Sequence, residues 1–325
     1  ENRILVREGL IRIQNTENEG LKALLRVNNL EDRPISAYHI GFIIGPCMNA
    51  SGRLSTAKRA LNLLLTRDPK EASILAEDLK ALNDSRKDMT AKGVEQAVQL
   101  VENTDLKNDR VLVIYLPDCH ESLAGIIAGR IREHYTRPVF VLTKAEEGVK
   151  GSGRSIESYH MFQELVKCRE LLTKFGGHPM AAGLSLTEEN IGAFRQRLNE
   201  NCTLTAEDMV EKIVIDVPMP MSYVTIPLIR QISQLEPFGK GNTKPVFAQK
   251  NLRISNARVF GKNRNVVKML LTDEYGFAAE GIWFGDGDEF VQKIREKERW
   301  DMIYYPTTNA FRGRESIEMT VQSIR

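Results

Sequence analysis

Gly176-Gly177-His178-Pro179-Met180-Ala181-Ala182-Gly183 sets two glycines against a histidine and follows them with small apolar residues. Paired glycines let a ligand come close to the backbone, and the small residues after His178 suit a tightly packed helix start whose N–H groups face an anion. That is the chemistry of a phosphate site. A glycine turn at a helix entrance, around a buried and satisfied histidine, is the other reading open to the octapeptide. In Lys150-Gly151-Ser152-Gly153-Arg154-Ser155, alternating glycines expose backbone amides, Ser152 and Ser155 offer hydroxyls and Arg154 offers a fork of donors, so a terminal phosphate could be held from several sides. Taken alone, the same segment fits a hairpin or a sheet edge with glycine bulges. The run from Ile40 to Gly45 ends in Pro46 and continues through Asn49-Ala50-Ser51-Gly52-Arg53, which places polar side chains at the mouth of a packed element. There Arg53 can grip a phosphate bidentately and Asn49 can donate or accept beside it; alternatively, the segment is a loop whose Arg53 caps a helix end or pairs with a carboxylate.

The formal net charge is only +2, so its distribution carries more than its sum. Lys240, Lys244, Lys250, Arg253, Arg258, Lys262, Arg264 and Lys268 follow one another with no Asp or Glu between them, and would draw a polyanion if they share a face. A solvated strand surface is the plainer account. Single-strand binders join such a groove to aromatic stacking worth about 1–3 kcal/mol per base. Phe260 amid Arg258, Lys262 and Arg264, and Phe311 beside Arg312, are the candidates, each also a candidate for the core.

These side chains need elements to hold them. A length of 325 residues calls for two or three domains, and 27% charged with 42% hydrophobic residues is the profile of a soluble globular protein. No run approaches the roughly 18 apolar residues that cross a bilayer, and no signal-like segment opens the chain, so a cytoplasmic location is expected. Cys47, Cys119, Cys168 and Cys202 are scattered without metal-site spacing and are expected to be reduced, mostly buried thiols. A short helical pattern runs through Leu21, Leu24 and Leu25. Asp68-Pro69 then starts a helix whose Ala72, Leu75, Ala76, Leu79 and Leu82 form one stripe, reaching to about residue 102 as a connector. Val111–Leu116, a helix from Leu123 to about His134, and Pro138–Leu142 make a parallel crossover, with His120 beyond the carboxyl end of its first strand. Helices are expected over about 159–173 and 188–200. From about Asp208 the pattern turns to short strands (Lys212–Asp216, Arg253-Ile254, Val266–Leu271, Gly281–Phe284, Met302–Tyr305) with one helix at Pro227–Leu235, which fits a small closed barrel of the OB type.

Taken together, Gly45–Leu54, the Gly151–Ser155 strand, Gly176-Gly177-His178, Glu236-Pro237-Phe238-Gly239-Lys240-Gly241-Asn242 and Asn309-Ala310-Phe311-Arg312-Gly313-Arg314 resemble, in order and spacing, the RecJ family of the DHH phosphoesterase superfamily. The resemblance covers essentially the whole chain. It implies a fold of α/β plus β type: the tail of a DHH domain over residues 1–54, connecting helices over 55–104, an α/β DHH-associated domain over 105–205, and an OB-fold barrel over 206–325. It implies 5′-to-3′ removal of nucleotides from single-stranded DNA by metal-assisted hydrolysis, with Mn2+ or Mg2+ held by an N-terminal Asp-His-His domain. This sequence has no Asp-His-His motif and begins at Glu1, so it is expected to be a fragment that binds DNA without cutting it. By similarity, Arg53 would reach the scissile phosphate, with Asn49 and His178 in the catalytic cleft. Ser152, Arg154 and Ser155 would hold the 5′ phosphate with the amides of Gly176 and Gly177, while Arg258, Phe260, Lys262, Arg264 and Arg312 would hold the strand. No metal ligand is assigned within the chain, and His120 only partly follows the family pattern. An acidic C-terminal peptide of a single-strand-binding protein is a further partner that the family analogy suggests. A relative that cleaves short oligonucleotides or cyclic dinucleotides, and a non-catalytic nucleic-acid-binding subunit, are the alternatives.

Overall fold

A computed structural model of the chain describes residues 1–311 and 313–325. The chain divides into two compact units, residues 10–211 and residues 1–9 with 212–325. Among the described residues no helix is long and apolar enough to cross a membrane.

The chain opens with helix α1 (Asn2–Gln14), continuous through a stretch in which no strand or turn signal is evident. In the first unit, α2 (Glu19–Val27) is capped by Asn18, whose side chain accepts from the Leu21 N–H, and it buries Ala23, Leu24 and Leu25. A short turn α3 (Ala37–His39) passes through one π-helical turn, Ile40–Ile44, into α4 (Gly45–Leu54). Residues 45–54 are therefore a helix and not a loop, with Pro46 directly after the π-helical turn. Next come α5 (Lys58–Leu65) and the long α6 (Pro69–Asn103), started by Asp68 as expected. The two halves of α6 serve different cores. Ala72, Ala76 and Leu79 pack with Leu24, Cys47 and Leu63, whereas Ala97 and Val101 pack under the α/β layer.

That layer is a five-stranded sheet built from β1 (Leu112–Tyr115), β2 (Val139–Lys144), β3 (Val149–Arg154), β4 (Lys174–Gly177) and β5 (Ala181–Leu186), in the order β1-β2-β3-β5-β4. Helix α7 (Ala124–Tyr135) joins the parallel pair β1 and β2; the remaining pairings are antiparallel. Side chains alternate across the sheet. Phe140, Leu142 and Val149 join one core with α9 (Ile191–Glu200), while Val139 and Val141 join another with α6 and α7. The stretch expected as a helix over 159–173 is shorter: α8 (Met161–Val166) is followed by a 3-10 turn at Arg169–Leu171.

The second unit is an OB barrel. After β6 (Val217–Pro218) and α10 (Ile226–Ser233), the strands β7 (Phe247–Phe260), β8 (Val266–Thr272), β9 (Ala278–Phe284), β10 (Trp300–Phe311) and β11 (Arg314–Ile324) follow the order β10-β11-β9-β8-β7. An additional β7–β10 pairing closes the sheet on itself, with α11 (Gly287–Lys293) between β9 and β10. Lys212–Asp216 is not a strand; the segment joins the sheet only at Val217, beside Phe247. The last strand, β11, went unpredicted because Arg314–Glu318 is largely polar, and its apolar alternation begins only at Ile317. Tyr304 is fully buried in the barrel and donates to the Met219 carbonyl at 2.7 Å.

Candidate functional site

Strand register sets the first site. On β3, Gly151 and Gly153 face the packed side, so Lys150, Ser152 and Arg154 face the other. Cross-strand pairing then lines up Arg154 with Ala181, Ser152 with Gly183, and Lys150 with Ser185. β4 extends these rows: Gly183 pairs with Gly176, Ser185 pairs with Lys174, and the His178 N–H donates to the Ala181 carbonyl at 2.8 Å. The Gly-Gly-His turn is therefore the tip of a β-hairpin and not a helix start. Gly177 is there because a Cβ would stand 2.5 Å from the Ala181 carbonyl oxygen of its own partner strand. His178 is exposed at that tip, not buried.

A cleft of about 380 Å³ lies over these rows, lined by Ser122, Lys150, Ser152, Lys174, Gly183 and Ser185 among others. Glu121 borders it and pairs with Lys150 at 2.7 Å, so one lysine of the cleft is already neutralised. Arg154 is pressed against the start of α7. A Cβ on Gly125 would lie 2.8 Å from Arg154 Nη2 and 3.5 Å from Ser152 Cβ, so a methyl there would push the guanidinium aside. Arg154 donates from Nη1 to the neutral Gly153 carbonyl, at 2.7 Å. Burial draws its pKa down, and the charges of Arg53 and Arg132 act in the same direction. Arg53 comes from α4 and donates to the Ser122 carbonyl at 3.1 Å, which ties that helix to the turn before α7. Asn49 is exposed on α4 one turn earlier. His120 caps the turn, its Nδ1 accepting from the Ser122 N–H at 3.3 Å and lying 2.7 Å from the Ser122 hydroxyl.

Ser155 departs from expectation. It is buried and donates to the Tyr159 carbonyl at 2.6 Å, so its hydroxyl is held inside the domain instead of facing the cleft. Among the described residues, no three His, Cys, Asp or Glu side chains come together as a metal ligand set. The cysteines are free; Cys47, Cys168 and Cys202 are buried, and Cys119 is half-buried. What the cleft offers is donors and positive charge for an anion.

The barrel presents a second surface. Arg258 and Phe260 on β7, Lys268 on β8 and Phe284 on β9 point outward, since Val259, Val267 and Trp283 between them point into the core. Register places Phe260 opposite Val266 and Val266 opposite Phe284, with Arg258 opposite Lys268 in the next row. Phe260 is 47% exposed and Phe284 58%, so two rings flank one aliphatic residue on an open face. The basic run is partly spent internally. Arg264 forms a bidentate pair with Asp288 at 2.6 Å, Lys268 pairs with Glu318 at 3.4 Å, and Lys244 sits 3.5 Å over the Tyr305 ring. Arg264 is thus committed to anchoring the β7–β8 turn on α11, which departs from its expected role, while Lys262 is exposed in the same turn. Arg312 lies outside the described residues.

Two family models match the chain in succession. The RecJ OB domain matches residues 215–323 and the DHHA1 domain matches residues 108–203. The single-stranded-DNA-specific exonuclease RecJ of Bacillus subtilis is 35% identical over 99% of this chain, and that of Escherichia coli 33% identical over 99%. The chain belongs to the RecJ family. The crystal structure of Thermus thermophilus RecJ in complex with Mg2+ superposes with a TM-score of 0.84 at 27% identity, covering all of this chain and 49% of that one. A second structure of Thermus thermophilus RecJ is in complex with Mn2+. The chain spans about half the length of the relatives it matches, 41% of the Bacillus subtilis RecJ and 57% of the Escherichia coli RecJ.

Within this RecJ-family chain, sequence reasoning did not single out Gly125 or Phe284. Gly125 sits in an ordinary helical stretch, and its contact with Arg154 spans two elements distant in sequence. Phe284 could have been found by parity, because it shares an alternation with the exposed Glu280 on the same strand.

Proposed function

We propose that this chain is the substrate-holding part of an enzyme that degrades single-stranded DNA from its 5′ end. Arg154 and Ser152 clasp the 5′-terminal phosphate, and this clasp sets polarity because only a chain end presents that group. Arg53, within electrostatic reach of Arg154, offsets charge on the neighbouring phosphate to be cleaved, with Asn49 and His178 at the borders of the same region. The observation that carries this reading is the placement of Arg154: half-buried, beside a glycine that makes room for it, and hydrogen-bonded to a neutral carbonyl. A buried guanidinium held this way is ready for a charged, bidentate acceptor.

The barrel face stacks bases on Phe260 and Phe284, with Arg258 and Lys268 for the backbone. Lys262 lies on the adjoining turn. The domain boundaries near residues 54, 104 and 205 belong to the same proposal. Mn2+ or Mg2+ would activate water in such a hydrolysis. The described residues supply no ligand set for it, and we assign that set to residues outside this chain.

Fluorescence anisotropy with labelled oligonucleotides across a salt series tests the reading. Single strands bind in preference to duplex, and the affinity falls steeply with salt. Arg154→Ala lowers affinity for a 5′-phosphorylated strand about tenfold, near 1.4 kcal/mol, and leaves a 5′-hydroxyl strand almost unchanged. An unaltered preference for the phosphorylated end would remove Arg154 from the clasp.

A further inference from the structure

Arg86 stands on α6 on the face that α7 crosses. The helices approach closely at Gly93, where a Cβ would lie 2.5 Å from Ile127 Cδ1. The crossing leaves a cleft of about 460 Å³ between Arg86, Lys87 and Thr90 of α6 and Ile126 and Arg130 of α7, with Glu95 at its border. Arg86 is half-buried, and its Nε donates to Asn83 Oδ1 at 3.2 Å. Asn83 is itself buried, its amide donating to Cys47 Sγ at 3.5 Å, so the guanidinium is fixed from behind by a neutral group. Among the described residues no carboxylate pairs with Arg86.

Its neighbours make that more telling. Lys87 pairs with Asp84 at 3.4 Å and Arg130 with Glu133 at 3.3 Å, both exposed contacts of little strength. Burial draws the Arg86 pKa down, and the charge of Arg53 presses the same way, followed by an opposing effect of Cys47 and a lesser lowering by Arg130. Arg53 is thus an electrostatic neighbour of both Arg86 and Arg154. Arginines held near one another repel, and a bound anion relieves that repulsion.

We propose that Arg86, backed by Asn83 and flanked by Thr90 and Arg130, is a further phosphate site that takes an internal phosphodiester of the strand whose end is held at Arg154. The assignment rests on the strand-end reading of Arg154. The chemistry recognised is a phosphate oxygen; its source is the strand backbone, and free phosphate is the competitor.

The test compares a 5′-phosphorylated dinucleotide with a long 5′-phosphorylated single strand, both titrated against the full chain. Arg86→Gln weakens the long strand about five- to tenfold, reduces its salt slope by about 0.7, and leaves the dinucleotide unaffected. Arg130→Gln, on an exposed position of α7, shifts the same readings less and keeps the test open if Arg86→Gln does not fold. Unchanged long-strand affinity in both variants overturns the proposal. Equal losses on the dinucleotide and the long strand also overturn it, making Arg86 a support of the terminal clasp. Thermal stabilisation by inorganic phosphate that Arg86→Gln abolishes, with strand affinity intact, assigns the site to a free anion and overturns it as well. If Arg154→Ala leaves end preference intact while Arg86→Gln still acts on long strands alone, the clasp reading falls and the internal site stands.

Discussion

Ser152 and Ser155 belong to one glycine-rich segment, yet Ser152 lines a cleft and Ser155 is buried against the Tyr159 carbonyl. Strand parity separates them: Ser152 shares a face with Arg154, and Ser155 falls in phase with Gly151 and Gly153, which face the core. Once the segment was taken as a strand, that much was legible from spacing. The partner of Arg154 was not, because Gly125 lies on a helix and no local rule connects them. Gly125→Ala crowds the guanidinium at Nη2 and is expected to lower affinity for a 5′-phosphorylated strand several-fold while the fold persists. Anisotropy beside a thermal melt measures both, and an unchanged affinity would show that the guanidinium has room to move without leaving its site.

At the scale of elements, the largest departure is the Gly-Gly-His segment. Glycine followed by small residues suits a helix start or a hairpin equally, and the choice was made by β3, whose free side pairs with β5 from Val149 to Arg154. β5 in turn pairs with β4, so the turn became the tip of an antiparallel hairpin. Gly177→Ala sets a methyl against backbone with no side chain to yield, at an expected cost of about 1–3 kcal/mol. The unfolding midpoint should fall by several degrees; a midpoint equal to the parent would mean that the hairpin relaxes freely. Gly45–Leu54 departs the other way: its Gly and Pro suggested a loop, but the π turn before it delivers the chain already helical, and buried Cys47 and Ala50 hold it against α6. The long helix itself was plain from Asp68-Pro69 and its apolar stripe.

For the molecule as a whole, the order of strands in the barrel decides which residues share a surface. Phe260 and Phe284 are separated by two strand turns in sequence and meet in one row only because β8 lies between their strands. Phe260→Ala and Phe284→Ala should each cost about 1–3 kcal/mol of single-strand affinity. Both rings are substantially exposed, so stability should move by less than about 0.5 kcal/mol. Loss of stability without loss of affinity would return both rings to a packing role. Part of the basic run is paired on the surface, as with Arg264 on Asp288, and no count of charges along the chain could have anticipated it.

The sequence by itself determined the α/β and barrel classes, the start of the connecting helix and the residue types able to hold phosphate. Those properties are local: capping, periodicity and side-chain chemistry act within a few residues. The tertiary structure alone decided that Arg154 meets Gly125, that Arg86 feels the charges of Arg53 and Arg130, and that Arg264 pairs with Asp288. Each depends on charges or atoms brought together from distant segments, where Coulomb and packing terms follow distance in space and not position along the chain.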